Sequence, residues 1–300
     1  MLKSSDNPHP AFSIKRERAF PFLLIAPAIS VLLALSIYPL IYTIKVGFQR
    51  GTGGEARWTI ENLTRLFTDS FFHDALLHTL IYSITALTFE FLLGLGLALL
   101  VDRPLRGRNF FRAILLIPMM LPPVVVGVMW RLMFNPSFGA INGTLKSAGA
   151  NTDNLTWTAS PTLALISVIT VDVWQWTPFI FLVLLAGLQA IPQEPYEAAM
   201  IDGASAWQTF IHVTLPLLKP AILIALLLRT MDLLRVFDQI FILTEGGPAF
   251  ATETVSLYIY RTAFRFSDFG YAAAMSFVLL AITNIISSVY IRLLQRQEAQ

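Results

Sequence analysis

The chain has 300 residues, of which 55% are hydrophobic and 13% are charged, and it has a net charge of +2 and no cysteine. Soluble domains carry about 25% charged residues, so a mean hydropathy of +0.64 excludes an ordinary soluble domain, and the small net charge does not favour a nucleic-acid-binding protein. Without cysteine the chain has no disulfides or thiolate metal sites, and it contains no common catalytic signature such as H-E-x-x-H or G-x-S-x-G.

The first element is an apolar run that starts at residue 20 and extends to residue 45. Lys15, Arg16 and Arg18 precede it. The apolar core of a signal peptide is about 7–15 residues long, so this longer run predicts a retained first membrane helix. Residues 1–19 are then expected to form an N-terminal tail.

Five further apolar stretches follow, near 77–101, 110–133, 161–190, 220–243 and 269–293. Each is long enough to cross about 30 Å of hydrocarbon at 1.5 Å per residue. We therefore expect an all-α membrane protein whose six transmembrane helices form one domain over 20–293, followed by a tail at 294–300. An even number of crossings places both termini on the same side.

The basic residues predict which side that is. Short segments rich in Lys and Arg face the cytoplasm. The side of the termini carries eleven basic residues, four of them in the short stretch VDRPLRGRNFFR, and the other side carries eight on longer segments. Both termini, and the segment between the fourth and fifth spans, are therefore expected to be cytoplasmic.

That segment, about 191–219, is more polar than its surroundings and predicts two short helices joined by a bend. Pro195 suits the start of a helix and Glu197 its first turn, while Gly203 can adopt the left-handed conformation that ends one. Ser205 with Gln208 forms a capping box that starts the next helix. Local chemistry leaves open whether this is a plain solvated loop or a docking element.

The stretch EAAMIDGASAWQTFIHVTLPLLKP resembles the EAA signature of permease subunits in binding-protein-dependent ABC importers. Other stretches, NPSFGAIN, VDVWQWTPF, FILTEGGP and DFGYAAAMS, resemble the sugar-permease branch, similar to the maltose and glycerol-phosphate permeases. The resemblance implies the type I importer permease fold. It does not include the extra N-terminal spans and large outer domain of the maltose-type subunit.

In that family the bend is a coupling helix that docks in a cleft of the ATPase subunit. The resemblance therefore implies an ATPase-coupling role for a set of residues in the loop: Glu197, Ala198, Ala199, Asp202, Gly203, Ile211, Leu215 and Pro216. No P-loop motif G-x-x-x-x-G-K-[ST] occurs in the chain. We expect no cofactor or metal in this chain, with ATP and Mg²⁺ bound by a dimer of partner ATPase subunits.

Ionisable residues inside spans are functional candidates by default. Asp172 and Asp232 both fall about 17–18 Å into their spans, near the midplane where transporter sites lie. Asp172, Trp176 and Phe179 share one helix face.

Residues Arg229, Asp232, Arg235 and Asp238 alternate in sign every three positions. Such neighbours can form ion pairs with each other. The row therefore predicts either that these charges neutralise one another, with Arg235 pairing with Asp238, or that they contact a ligand.

By resemblance to maltose-type subunits, nine residues match positions that line the substrate pocket: Met119, Pro123, Asp172, Trp176, Phe179, Asp232, Leu233, Val236 and Asp238. Aromatic faces beside carboxylates suit a polyhydroxylated ligand, with Trp174 or Trp176 covering its C–H faces. Pro118, Pro122 and Pro123 are expected to break the third span next to this cavity. Three further tryptophans are expected to anchor the outer interface: Trp58, Trp130 and Trp157.

The sequence thus predicts a non-enzymatic, multi-pass permease subunit of an ABC importer for a sugar or sugar derivative in the bacterial cytoplasmic membrane. Its expected partners are a second permease, the ATPase dimer, an external substrate-binding protein and membrane lipid, without nucleic acid. The alternative is an autonomous, proton-coupled secondary transporter or a channel that uses the midplane aspartates. An intramembrane enzyme is a third alternative, but the sequence shows no nucleophile–base pair and no set of metal ligands for it.

Overall fold

The computed structural model describes residues 14–50, 57–102, 107–152 and 154–298. The major helices are α1 (Ile14–Gly47), α3 (Ser70–Asp102), α4 (Arg108–Met120), α5 (Pro123–Met133), α7 (Pro161–Ala190), α10 (Leu215–Leu233) and α13 (Phe269–Glu298). Shorter helices are α2 (Glu61–Arg65), α6 (Ala140–Ser147), α8 (Glu194–Ile201), α9 (Ala206–Thr209), α11 (Asp238–Leu243) and α12 (Val255–Tyr260). Strands β1 (Gln49–Arg50) and β2 (Arg57–Trp58) pair antiparallel.

Among the described residues, five helices are long and apolar enough to cross a membrane, and a sixth crossing results if the bent pair α4–α5 counts as one. The helix α1 begins at Ile14, ahead of the predicted start of the apolar run, and its candidate span begins at Leu24. Residues 1–13 of the predicted tail lie outside the described residues, as do Arg103 and Arg106 of the basic loop.

The third predicted stretch is broken where its prolines lie. Helices α4 and α5 meet at 95°, because Pro122 and Pro123 cannot donate backbone hydrogen bonds to the turn before them. The break frees the carbonyl of Leu121, and the Nε2 of Gln175 on α7 donates to it at 2.9 Å. The expected break is confirmed at Pro122 and Pro123, whereas Pro118 lies inside α4 and does not end it. A side chain from another helix satisfies the exposed backbone group.

The fifth predicted stretch, 220–243, is not one continuous helix. The helix begins further back, at Ala206, and runs through a π-helical turn (Phe210–Thr214) into α10. It ends at Leu233, and residues 234–237 separate it from α11. This interruption lies within the row of charged residues, so that Arg229 and Asp232 lie on α10 and Asp238 begins α11.

The core is built on α3 packed along α7, with α10 against both and α13 against α10. Helix α1 packs on α13, and α11 packs on α5. One core cluster contains the rings of Trp130, Phe134, Trp157 and Trp174. Trp130 is only 9% exposed, so the expectation that it anchors the membrane interface is wrong. It is a core residue, because its ring packs edge-on against Trp174.

Candidate functional site

A buried ion-pair network joins three helices at the centre of the bundle. The Nε of Arg229 on α10 donates to Glu90 on α3 at 2.8 Å, and its Nη2 donates to Glu90 and to Asp172 on α7 at 2.7 Å each. The side chains of all three are at most 3% exposed. Charge-assisted, bidentate pairs of this kind are strong and geometrically specific, so the network fixes the relative positions of α3, α7 and α10.

A cavity of about 360 Å³ opens beside this network. That volume lies within the range of small-molecule sites. Its lining comes from α5, α7, α10, the 234–237 break and α11: Pro123, Asp172, Trp176, Arg229, Asp232, Leu233, Arg235, Val236, Phe237, Asp238 and Gln239. Seven of the nine residues predicted to line a substrate pocket are therefore brought together here.

The two others lie apart from this lining. Phe179 packs with the core cluster of α7 and α10 that includes Phe181 and Leu184. Met119 lies in the last turn of α4, before the proline break, and is half-buried. Their predicted contact with a ligand stays a prediction, without support from the lining of this cavity.

Besides Phe237, the aromatic wall of the cavity is formed by Trp176. Its ring centre is 5.0 Å from the guanidinium carbon of Arg229, a distance at which a cation is attracted to the ring face. Trp174, the other indole considered for this role, packs against Trp130 in the core and is not among the lining residues.

The charged residues from Arg229 to Asp238 do not all form the ion pairs that their spacing predicted. Arg235 is 3.6 Å from Asp232, and Asp232 is 3.9 Å from Arg229. Asp232 and Arg235 are more than half exposed, so these contacts are weak. Within the described part of the chain, no cation lies within ion-pair distance of Asp238. The expected pairing of Arg235 with Asp238 is therefore wrong, because the chain leaves the helical path between them.

Two glutamines complete the site, and the sequence reasoning did not single them out. Gln175 donates to Leu121 at the proline break and accepts a hydrogen bond from the Nε2 of Gln239. Both side chains are buried. They connect the α4–α5 break with the start of α11 through α7, and buried polar groups in otherwise apolar stretches are the signal that could have found them.

The loop between α7 and α10 adopts the predicted bent form. Helix α8 carries Pro195 and Glu197 in its first turn, and Gly203 has φ +73°. The Ser205 hydroxyl accepts from the backbone N–H of Gln208, whose side chain accepts from the backbone N–H of Ser205, which forms the predicted capping box.

The residues predicted to contact an ATPase are exposed or half-buried: Glu197, Ala198, Ala199, Asp202, Gly203, Ile211, Leu215 and Pro216. Beside them, three large apolar side chains face solvent, with Met200 78%, Ile201 86% and Trp207 68% exposed. An open depression of about 1150 Å³ lies between the loop and the adjacent ends of α3 and α7. Clustered exposed apolar residues mark protein–protein contact sites.

A polar cluster surrounds α12, where α3 and α13 begin. The carboxylate of Asp69 accepts from the hydroxyls of Tyr258 and Tyr271. Burial opposes ionisation of this carboxyl, but these hydrogen bonds and two from the backbone lower its pKa. Burial raises the pKa of Glu253 to about 7, against the opposing charges of Arg261 and Arg265.

Comparisons with known proteins agree with this architecture. Residues 90–299 match the family described as binding-protein-dependent transport system inner membrane component. The chain is 38% identical to the trehalose/maltose transport system permease protein of Thermococcus litoralis, over 92% of this chain and 94% of the relative. It is 34% identical to the sulfoquinovosyl glycerol permease protein of Agrobacterium fabrum, over 94% of this chain and 92% of the relative.

The fold is also similar to a solved structure. A chain of a bacterial ABC transporter involved in the import of the acidic polysaccharide alginate superposes with a TM-score of 0.82, covering 94% of this chain and 97% of that one at 23% identity. At this identity the likeness shows the fold alone. The family match and the sequence relatives go further: the chain belongs to the family of inner membrane components of binding-protein-dependent transport systems.

Proposed function

We propose that this chain is one of two unlike membrane-spanning subunits of an ATP-driven importer for a sugar or sugar derivative. It would form a six-helix domain over 20–293 with its coupling loop at about 191–219 and both termini in the cytoplasm. Relatives named for transport of trehalose/maltose, trehalose and lactose are 34–38% identical to this chain. Sugar permeases therefore predominate among the named relatives, in agreement with the aromatic and carboxylate lining of the cavity.

One observation carries the proposal: a continuous helical segment of 28 residues, Ala206–Leu233, connects the bent loop to the cavity. At 1.5 Å per residue it is about 42 Å long. Trp207 lies at its exposed end, while Arg229 and Asp232 lie at the cavity. A partner that moves the loop would thereby move one wall of the cavity, which supports alternating access driven from outside the chain.

The surface of the loop supports an ATPase partner. Met200, Ile201 and Trp207 offer apolar area for burial, and Glu197 offers a charge for an Arg or Lys on the partner. Interfaces of this kind draw most of their affinity from a few buried large side chains. ATP and Mg²⁺ would be bound entirely by the partner ATPase dimer, since the chain has no P-loop.

The remaining partners follow from the family. An external binding protein would deliver the sugar, and a second permease would supply the opposite wall of the cavity in the cytoplasmic membrane. A solved relative of the fold was crystallised with an alginate-bound periplasmic protein. We do not propose the autonomous proton-coupled transporter, because it leaves the docking loop without a role and Asp172 is already engaged by Arg229.

The test is reconstitution of the chain with its cognate subunits in vesicles. Uptake of radiolabelled trehalose, maltose and lactose is measured with ATP and with an imposed proton gradient alone. We expect uptake of at least one sugar that requires ATP, both permeases and the binding protein. Uptake by this chain alone, driven by the proton gradient, would contradict the proposal.

A charge reversal tests the loop. Glu197→Lys is expected to lower sugar-stimulated ATPase activity about tenfold, because losing an interfacial charge pair costs more than about 1.4 kcal/mol. The control is Glu61→Lys, which reverses an exposed charge paired with Arg50 at the other end of the molecule. Equal activity of the two variants would remove the docking role from Glu197.

A further inference from the structure

The charges around the cavity are unequal. Three aspartates and two arginines line it, and Glu90 binds Arg229 from behind. Carboxylates therefore outnumber guanidinium groups four to two, and a proton held on one of the two buried carboxyls would still leave the balance negative. Because the cavity has apolar walls, an excess of negative charge produces a stronger electrostatic potential inside it than at an open surface.

The two guanidinium groups differ: Arg229 is buried and fully engaged, whereas Arg235 is exposed and loosely held. Arg229 donates to two carboxylates and lies under the ring of Trp176. Arg235 donates to the backbone oxygen of Met231 at 3.0 Å and faces Asp232. An anion could bind Arg229 only by displacing a carboxylate, and the other cation of the lining, Arg235, is set against three aspartates.

Two carboxylates, in contrast, can accept. Asp232 has only distant cations, at 3.6 and 3.9 Å. Asp238 is exposed and has no ion pair with any residue of the described chain. Carboxylates accept hydrogen bonds from hydroxyl groups, and the nearby indole of Trp176 offers an apolar face to a sugar ring.

We propose that the cavity takes neutral, polyhydroxylated sugars and discriminates against sugars that carry a carboxylate, sulfonate or phosphate. The sugar hydroxyls donate to Asp232 and Asp238, whereas an anionic group meets an excess of negative charge. The inference rests on the proposed function, since it names the substrate class of the same cavity.

The first experiment measures the charge directly and needs no transport. The chain has no native cysteine, so Val236→Cys places one thiol in the lining. Its reaction rates with a cationic (trimethylammonium-ethyl) and an anionic (sulfonatoethyl) methanethiosulfonate are measured in the purified complex, by mass spectrometry of this chain. Each rate is divided by the rate of the same reagent with a free thiol.

We expect the cationic reagent to react about tenfold faster than the anionic one after this correction. Asp238→Asn in the same background should reduce the ratio at least threefold. Asp102→Asn, an exposed aspartate at the far end of α3, should leave it unchanged. A ratio of one or below, or a ratio insensitive to Asp238→Asn, would overturn the inference.

The second experiment tests the ligand class by protection of the same thiol. Methyl α-glucoside and methyl α-glucuronide differ only in a CH₂OH group replaced by a carboxylate. We expect the glucoside to slow labelling at a concentration at which the glucuronide does not. Equal or better protection by the glucuronide would overturn the inference.

Protection by neither sugar would also overturn the inference, because the cavity would then not be a sugar site. ATP-driven uptake in the reconstituted importer reports separately on the proposed function, so failure of the two proposals can be told apart.

Discussion

Arg229 is the residue on which the centre of the molecule depends most. It neutralises two carboxylates from helices that are far apart in sequence, Glu90 and Asp172, with a guanidinium that is 2% exposed. Breaking a buried pair by removing one partner costs about 3–5 kcal/mol, whereas replacing all partners by neutral groups costs much less.

Arg229→Met is therefore expected to fold poorly, because it leaves two buried carboxylates without a cation. The triple variant Glu90→Gln, Asp172→Asn, Arg229→Met should recover much of the lost stability. The measurement is the yield of monodisperse complex and its thermal midpoint in detergent. Wild-type stability of Arg229→Met alone would show that the network carries little energy.

Trp176 differs from the other tryptophans in lining the cavity, so its removal should act on transport more than on folding. Trp176→Ala is expected to raise the KM for sugar about fivefold or more, since a stacked aromatic contributes roughly 1 kcal/mol or more. The control is Trp58→Ala, because Trp58 is 70% exposed. Trp130 is not suitable as a control, because its removal would leave a hole in the core. Equal KM values for the two variants would place the sugar elsewhere.

Glu253 gives the segment between α11 and α13, residues 244–268, a dependence on pH. Its pKa is raised from 4.5 to about 7 by burial, so between these values the folded chain holds a proton that the unfolded chain has released. Stability of the segment is therefore highest below pH 4.5, falls as pH rises, and is constant above about pH 7.

We expect backbone amides of residues 244–262 to lose protection from hydrogen exchange between pH 5 and pH 8, after correction for intrinsic rates. Glu253→Gln should abolish the change, because its side chain does not ionise. Glu245→Gln serves as the control, since Glu245 is exposed and 3.5 Å from Arg265. If the pH-dependent loss of protection persists in Glu253→Gln, another ionisable group is responsible for it.

At the scale of elements, the bend between α8 and α9 depends on one backbone conformation. Gly203 has φ +73° and a side chain added there would meet no atom within 4 Å, so backbone strain alone decides what the position accepts. Asn tolerates the left-handed region, whereas a β-branched residue does not.

Gly203→Val is consequently expected to lower sugar-stimulated ATPase activity several-fold, while Gly203→Asn stays close to wild type. Both add a side chain of similar size to the same exposed position, so a docking clash would affect both. Sugar-stimulated ATPase activity of the reconstituted complex measures the effect. Loss of activity in both variants would favour a direct contact at Gly203 over the conformational role.

Local signals made much of this loop predictable, because proline, glycine and the capping box act within a few residues. The break at 234–237 was not predictable in the same way, since LRVF contains neither proline nor glycine. The sequence also did not show which carboxylates pair with Arg229, because they lie 139 and 57 residues away. Spacing within a helix predicts that Arg229 pairs with a neighbour three residues away. In the structure, buried carboxylates from other helices bind Arg229 more closely than the exposed Asp232 does.

For the whole molecule, the number of crossings depends on the bent pair α4–α5. Helix α4 is about 20 Å long and α5 about 17 Å, and they meet at 95°. If the pair crosses the membrane as one span, six crossings place both termini on the same side. If it forms a re-entrant hairpin, five crossings place the termini on opposite sides.

Two positions that flank the pair distinguish these arrangements. Asn109 at the start of α4 and Ser147 at the end of α6 are both exposed, and the absence of native cysteine makes single-cysteine variants simple to interpret. We expect an impermeant thiol reagent added to intact cells to label Ser147→Cys and to label Asn109→Cys only after permeabilisation, since Arg108 and Arg112 favour the cytoplasm. Labelling of both from outside would indicate a re-entrant pair, and the reverse pattern would overturn the orientation based on the basic residues. ATP-driven uptake by each variant, measured in the same cells, confirms that the labelled protein is correctly assembled.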